Sequence, residues 1–293
     1  MLDHELIDIG DGRRLDRFGP IVLDRPCPPA ERTPRRDPGS WRTASARFER
    51  SIDRGVVHAE WITANGEPIE QWVIGEGELR FECRLASSGQ VGVFAEQAPN
   101  RRWLIDQASR LRAGSAADDE GVGVLNLFAY TGGSTLACAM GGVPVTHVDA
   151  SRPAVAWGRR NAELCGFADR PIRWIADDAV AFTRRELRRG RRYAGIVLDP
   201  PSYGHADRGR DWQIERDLPG LLATALAMLP PDGPAFALLT SHTTELDPET
   251  LAGWMRDALG SRADEGGIGD EALELTAASG ARLALGWSIR WQR

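Results

Sequence analysis

The chain contains no lysine: all 36 of its basic side chains are arginines. Every side-chain positive charge is therefore a planar, permanently protonated fork suited to carboxylate and phosphate. A biased nucleotide composition of the genome would leave the same trace. Cysteine is scarce too. Cys27, Cys83, Cys138 and Cys165 sit far apart with no C-x-x-C pair, which argues against a disulfide framework and against a zinc site. No metal is expected. No apolar run approaches the length that crosses a bilayer. The opening Met-Leu-Asp-His-Glu-Leu is acidic and lacks the basic-then-apolar order of a secretion signal. A soluble, cytoplasmic protein with no membrane partner is the expectation. The net charge is −6, shared evenly about residue 120, so no region is broadly basic. That weakens binding to nucleic acid by bulk charge and leaves a local basic surface open.

What is present is 293 residues with 42% hydrophobic content, enough for one or two domains with a real core. From Gly121 the pattern is regular. Val122–Ala129, Val145–Asp149, Pro171–Ala176, Ala194–Asp199 and Ala235–Ser241 read as strands. Between them Ser134–Met140, Arg152–Cys165, Ala179–Arg189, Ile214–Leu229 and Glu249–Leu259 read as helices. That alternation predicts an α/β fold, a mainly parallel sheet covered by helices. Ala272–Ala278 and Arg282–Trp291, joined by Ser279-Gly280, read as a terminal hairpin that adds an antiparallel strand. Residues 1–111 are broken by Pro and Gly into short pieces and read as a small β-rich domain for substrate recognition. Asn65-Gly66 is a hairpin signal, and Thr43–Arg50 has helical character. Residues 112–120 read as the linker, and 121–293 as the second domain.

In an open parallel sheet, ligands gather beyond the carboxyl ends of the strands, at the switch point by the first strand. Here that point is Asn126-Leu-Phe128-Ala-Tyr130-Thr131-Gly132-Gly133. It does not match G-x-G-x-x-G, the loop that seats a pyrophosphate, so a cofactor without phosphate fits better. Asp149 ends the second strand, where a carboxylate accepts from ribose hydroxyls. Asp177 and Asp178 end the third, where one can accept from an adenine amino group. The fourth strand runs into Asp199-Pro200-Pro201-Ser202-Tyr203. Asp199 is a fixed acceptor, the prolines hold their φ near −65° with carbonyls free to accept, and Tyr203 offers a face for stacking. This set suits a planar ring carrying an amino group, such as a nucleobase. A strand ending in a rigid turn would look the same.

Taken together these motifs resemble the class I S-adenosylmethionine-dependent methyltransferases, and among them the large-subunit ribosomal RNA enzymes of the cytosine-C5 and guanine-N7 types. The resemblance covers about residues 90–243. It includes Gly92-Val-Phe-Ala-Glu96-Gln97-Ala98-Pro-Asn100-Arg101, similar to the family's Gly-x-Phe-x-Asp-Gln-Arg-x-Asn-Arg segment. Glu96 and Ala98 depart from it, and residues 1–111 show no clear match to the RNA-binding module of the cytosine-C5 members. The resemblance implies a Rossmann-like domain with a seven-stranded, mainly parallel sheet, and S-adenosyl-L-methionine as cofactor. It would lie along Asn126, Phe128, Tyr130, Thr131 and Gly132 at the methionine end, Asp149, Ala150 and Ser151 at the ribose, and Asp177, Asp178 and Ala179 at the adenine. Gln97 and Asp199 complete that set. Asp199, Pro200, Pro201, Tyr203 and His242 would face the acceptor.

Cytosine C5 is a poor nucleophile and needs a thiolate to add to the ring first. Neither Asp199–Tyr203 nor Leu239-Thr-Ser-His242-Thr carries a cysteine. Cys165 ends a helix before the third strand, Cys138 lies inside a helix, and Cys27 is on the other domain. A base nitrogen in structured RNA is therefore the favoured acceptor, with a purine nitrogen ahead. A small-molecule or protein methyltransferase on the same fold is the alternative, supported by the acidic balance. His242 falls near the cleft, as a contact or a packing residue. His205 lies in a Gly- and Arg-rich loop, Gly204–Arg210. The run Arg184–Arg192 looks like a phosphate patch but precedes the fourth strand, on the far edge from the chemistry. Trp41, Trp61, Trp72, Trp103 and Trp287 read as packing residues. Monomer and homodimer are both open.

Overall fold

A computed structural model describes residues 1–53, 56–114, 123–204, 211–243 and 245–293. Most of the expected linker, and His205 with the loop to Arg210, lie outside the described residues. The chain divides into two units: Met1–Ala98 with Glu274–Leu285, and Pro99–Leu273 with Gly286–Arg293.

The first unit is β-rich. β1 (His4–Gly10), β2 (Arg13–Phe18), β3 (Ile21–Pro26), β4 (Ala46–Asp53) and β5 (Val56–Thr63) form one sheet in that order. Only β3 and β4 run parallel. β6 (Trp72–Glu76) and β7 (Leu79–Cys83) make a separate antiparallel pair. Two local expectations are corrected. Thr43–Arg50 is not helical: a 3-10 turn ends at Thr43 and β4 begins at Ala46. The segment enters a ladder with β5 instead, with Phe48 opposite Trp61 and their rings 5.2 Å apart. Asn65-Gly66 is a turn but joins no hairpin, because β5 pairs with β4 and β6 with β7. Pro68, with no N–H to give a ladder, follows the turn and separates the two.

Charge is buried at the centre of this unit. Asp16 is fully enclosed. Its carboxylate accepts from Arg14 Nε and Nη2 (2.6 and 2.7 Å), Arg25 Nη2 (2.8 Å) and lies 2.8 Å from His4 Nε2. Burial alone would raise its pKa; Arg14, Arg25 and His4 outweigh burial and hold it well below the ordinary carboxylate value. Asp8, also enclosed, accepts from the Trp41 indole (2.9 Å) and the Asp37 N–H (3.1 Å).

The second unit opens with α1 (Ala98–Ala113) and then alternates strand and helix: β8 (Val124–Leu127), α2 (Gly133–Met140), β9 (Val145–Asp149), α3 (Arg152–Leu164), β10 (Ile172–Ala176), α4 (Ala179–Arg188) and β11 (Gly195–Leu198). A two-residue ladder follows, β12 (Tyr203–Gly204) against β13 (Trp212–Gln213), then α5 (Ile214–Leu226), β14 (Phe236–Ser241), α6 (Pro248–Leu259), β15 (Gly267–Thr276) and β16 (Arg282–Gln292). The sheet order is β10-β9-β8-β11-β14-β16-β15, seven strands, with β16 antiparallel to β14 and the first five parallel. This is the expected architecture. β8, β11 and β14 are buried along their whole length, as strands covered on both faces must be. The chain leaves β8 toward β9 on one side and returns to β11 on the other, so the switch point falls at the carboxyl ends of β8 and β11.

Removing one member of a buried ion cluster strands the others. Asp16→Ala should therefore lower unfolding stability by about 3–5 kcal/mol, read as a shift of the urea midpoint. A loss under about 1 kcal/mol would mean Arg14 and Arg25 find other acceptors.

Candidate active site

The loop between β8 and α2 has an unusual backbone. Phe128, Tyr130 and Gly132 all have left-handed φ, at 55°, 48° and 88°. For Gly132 that conformation is free of strain; for the two aromatics it must be held by surroundings. It is held. Asp149 Oδ2 accepts the Tyr130 N–H at 2.7 Å, and Asp149 Oδ1 accepts the Ser151 N–H at 2.8 Å. Asn161 Nδ2 donates to the Thr131 carbonyl at 3.0 Å. The Ala129 N–H donates to the Val148 carbonyl at 3.0 Å. Burial raises the pKa of Asp149, opposed by the backbone N–H of Ser151 and of Tyr130.

Below the loop runs a buried polar chain. Asn126 Nδ2 donates to Thr135 Oγ1 at 2.9 Å, and Thr135 Oγ1 lies 2.9 Å from His147 Nδ1. All three residues are enclosed. His147 packs against the Trp174 ring at 4.6 Å. Periodicity shows such residues only as strand and helix interior, so sequence reasoning passed over Thr135 and His147.

At the next strand tip, Asp178 is the N-cap of α4 and accepts the Ala181 N–H at 2.7 Å. Asp177 is ion-paired with Arg185 and accepts the Asp178 N–H at 2.9 Å. Ala179 is buried at the start of α4, and Ala150 and Ser151 are exposed beyond β9. Ser151 caps α3. Part of the Arg184–Arg192 run is engaged internally: Arg185 with Asp177, Arg189 with Glu186, and Arg192 with the Ala227 carbonyl.

Across the switch point, Asp199 is half-buried and accepts from the Thr240 hydroxyl. His242 Nε2 stands 3.6 Å from the same Asp199 oxygen. Thr240 is enclosed at the end of β14; no motif in the sequence pointed to it. Pro200 is buried, Pro201 exposed, and Tyr203 is 75% exposed on β12. One expectation is corrected. The Pro201 carbonyl is not free, because the Trp212 indole N–H donates to it at 2.7 Å. Trp212 also packs on Phe128 at 5.3 Å between ring centres, an aromatic need that overrides the rigid open ledge. Tyr130 packs on Trp157 at 6.2 Å.

The second unit thus gathers Asn126–Gly133, Asp149–Ser151, Asp177–Ala179 and Asp199–Tyr203 at the carboxyl ends of neighbouring strands, with His242 at the end of β14. Gln97 belongs to the first unit, buried in a 3-10 turn over Ala95–Gln97. Trp41, Trp61 and Trp72 give their indole N–H groups to Asp8, Ala86 and Phe18, and Trp103 packs edge-on to Phe236. Cys27, Cys83 and Cys138 are enclosed, and burial raises the pKa of each thiol, that of Cys83 to about 12. Cys165 is the residue after α3. Among the described residues no cluster of His, Cys, Asp and Glu could hold a metal ion, and no helix is long and apolar enough to cross a membrane. A rigid loop with bare glycines at its end, followed by carboxylates at two successive strand tips, fits an adenosine cofactor with an amino-acid tail.

Comparison with known proteins agrees. A family model described as S-adenosylmethionine-dependent methyltransferase matches residues 41–245. The chain is 33% identical over 190 residues to the ribosomal RNA large subunit methyltransferase K/L of Methylococcus capsulatus, a match covering 64% of this chain and 24% of that protein. It is 30% identical over 181 residues to the enzyme of the same name from Pseudomonas aeruginosa, covering 61% and 23%. The chain thus spans about a quarter of the length of these curated relatives. Among solved structures it resembles the SAM-dependent methyltransferase from Agrobacterium tumefaciens, with 31% identity, a TM-score of 0.85, and coverage of 99% of this chain and 90% of that one.

The enclosed His147 yields a measurable pH effect. Burial, with the charge of Arg159 behind it, lowers its pKa from 6.5 to about 3. The unfolded chain takes up the proton below about pH 6.5 and the folded one only near pH 3. Its contribution to stability is complete above about pH 6.5 and is lost as pH falls toward 3. His147→Gln should flatten the fall of urea stability across that window by up to roughly 1.4 kcal/mol per pH unit. Parallel curves for the two proteins would show the imidazole protonating in the folded state.

Proposed function

Since the chain belongs to the S-adenosylmethionine-dependent methyltransferases, we propose that it methylates a base nitrogen in structured, ribosomal RNA. When bound, S-adenosylmethionine supplies an electrophilic methyl group on a sulfonium. The chain's own work is placement, bringing an acceptor lone pair in line at roughly 3 Å. Asn126, Phe128, Tyr130, Thr131 and Gly132 hold the methionine end. Asp149 keeps lone pairs for the ribose hydroxyls beside the two N–H groups it already accepts. Asp178, with Asp177, Ala150, Ser151 and Ala179, borders the adenosine.

On the acceptor side, Asp199 accepts an amino N–H of the base, kept in orientation by the Thr240 hydroxyl. Pro200 and Pro201 form the ledge, and exposed Tyr203 offers a face to the ring. His242, 3.6 Å from the carboxylate, receives the proton that an amino nitrogen gives up on methylation. Nitrogen is preferred over cytosine C5 because Cys27, Cys83 and Cys138 are enclosed and raised in pKa and none sits at these strand tips.

The observation that carries the RNA reading is the identity to two enzymes named for large-subunit ribosomal RNA. Residues 1–111 are proposed to recognise the substrate, with 112–120 as linker and 121–293 as the transferring domain, acting in the cytoplasm. The decisive experiment offers the protein radiolabelled cofactor with total RNA, protein and metabolite extracts in parallel. Label in RNA alone supports the proposal. Label in protein or metabolites alone favours the other substrate class, which the net charge of −6 would suit.

Asp199→Ala should abolish transfer while leaving cofactor affinity within a few-fold; equal loss of both would move Asp199 from the acceptor to the cofactor or the fold. Asp149→Ala should weaken cofactor binding by roughly 10- to 100-fold, the scale of hydrogen bonds to a charged group. Unchanged affinity in calorimetry would remove Asp149 from the ribose.

A further inference from the structure

Pro200 and Pro201 have no N–H groups with which to tie their own turn. Its carbonyls are tied from the segment that opens α5. The Trp212 indole N–H donates to the Pro201 carbonyl at 2.7 Å, and the Ile214 N–H donates to the Ser202 carbonyl at 3.1 Å. Ile214 is 3% exposed and belongs to the core that holds Leu198 of β11 and Leu239 of β14, so this segment has a firm base. Trp212 makes a second contact. Its ring lies 5.3 Å from that of Phe128, tilted by 53°. Phe128 is one of the left-handed residues of the loop after β8. A phenyl ring would serve for packing on Phe128. The N–H spent on Pro201 is what the indole adds.

Methyl transfer is sensitive to the gap between those two places. The nitrogen–methyl bond forms as the sulfur–methyl bond breaks, S-adenosylhomocysteine leaves, and the amino proton goes to His242. A misplacement of about 1 Å can cost about 100-fold in such a step. We propose that Trp212 is the positioning residue that sets the distance from the cofactor's methyl group to the acceptor nitrogen. Its N–H holds the diproline turn and its ring holds the cofactor loop, so it acts through Pro201 and Phe128. The inference rests on the reading above and adds to it a determinant of which alkyl group the gap admits.

The test compares two donors, so that any loss of folded protein cancels. Wild-type and Trp212→Phe protein receive S-adenosylmethionine or S-adenosylethionine, each radiolabelled on the alkyl group, with total RNA. Calorimetry with S-adenosylhomocysteine runs beside it. Trp212→Phe keeps a ring for Phe128 and loses the N–H. It should bind S-adenosylhomocysteine within about 3-fold of wild type and lose roughly 10- to 100-fold in methyl transfer. The preference for methyl over ethyl should narrow by roughly 10-fold, because a loosened gap admits the longer group. An equal fall with both donors, leaving the preference intact, would make Trp212 structural and overturn the proposal, as would unchanged transfer. Should label enter protein or metabolite extracts in place of RNA, the RNA reading falls, and the same ratio read on that extract decides for or against Trp212. Wild-type protein that labels no extract would overturn both. Should Trp212→Phe fail to fold, Trp212→Leu, which lacks both ring and N–H, should narrow the preference as far; an undiminished one would again refute the assignment.

Discussion

Asp149 is the residue on which the geometry of the second unit turns. Its two oxygens accept N–H groups from Tyr130 and Ser151, one in the loop after β8 and one at the cap of α3. Left-handed backbone at a non-glycine residue costs on the order of 1–3 kcal/mol, and this loop has two such residues in three positions. Without a fixed acceptor opposite Tyr130 the loop would relax to ordinary φ. With it, the loop takes its shape before any ligand arrives, which lowers the ordering penalty on binding. One carboxylate thus sets the loop, and it is the same carboxylate proposed to accept from the ribose hydroxyls.

A second constraint links loop and ledge. Trp212 gives its indole N–H to Pro201 and lays its ring on Phe128. The diproline turn and the left-handed loop are therefore braced by the same side chain. Asp199 is oriented separately, from β14, through Thr240. Three strands, β8, β11 and β14, each contribute one element of this arrangement, and the parallel register between them sets its spacing.

Much of this was legible in the chain. Strand and helix alternation from Gly121 gave the α/β fold, and the motifs at Asn126, Asp149, Asp178 and Asp199 fell at strand tips because a parallel sheet aligns its carboxyl ends. The interior hydrogen bonds were not legible. Thr135, His147 and Thr240 occupy ordinary positions in amphipathic or apolar segments, and their role depends on which neighbour faces them across elements distant in sequence. Trp212 was hidden for the same reason: a tryptophan after an arginine-rich loop has no pattern until its partner, Pro201, is known. In the first unit, strand pairing overrode local signals at Thr43–Arg50 and Asn65-Gly66, where the turn residues were right and the partners were set by tertiary contacts.

The hairpin of β15 and β16 belongs to both units, its tip, Glu274–Leu285, counted with the first and its remaining residues with the second. Ala277, Ala281 and Leu283 complete a core with Leu6, Ile9, Cys27 and Ala30, and the Ala278 N–H reaches the Leu6 carbonyl at 2.7 Å. A ribosome delivers β1 well before this tip. The first unit therefore waits with one side of that core uncovered, and is sealed only when this hairpin emerges.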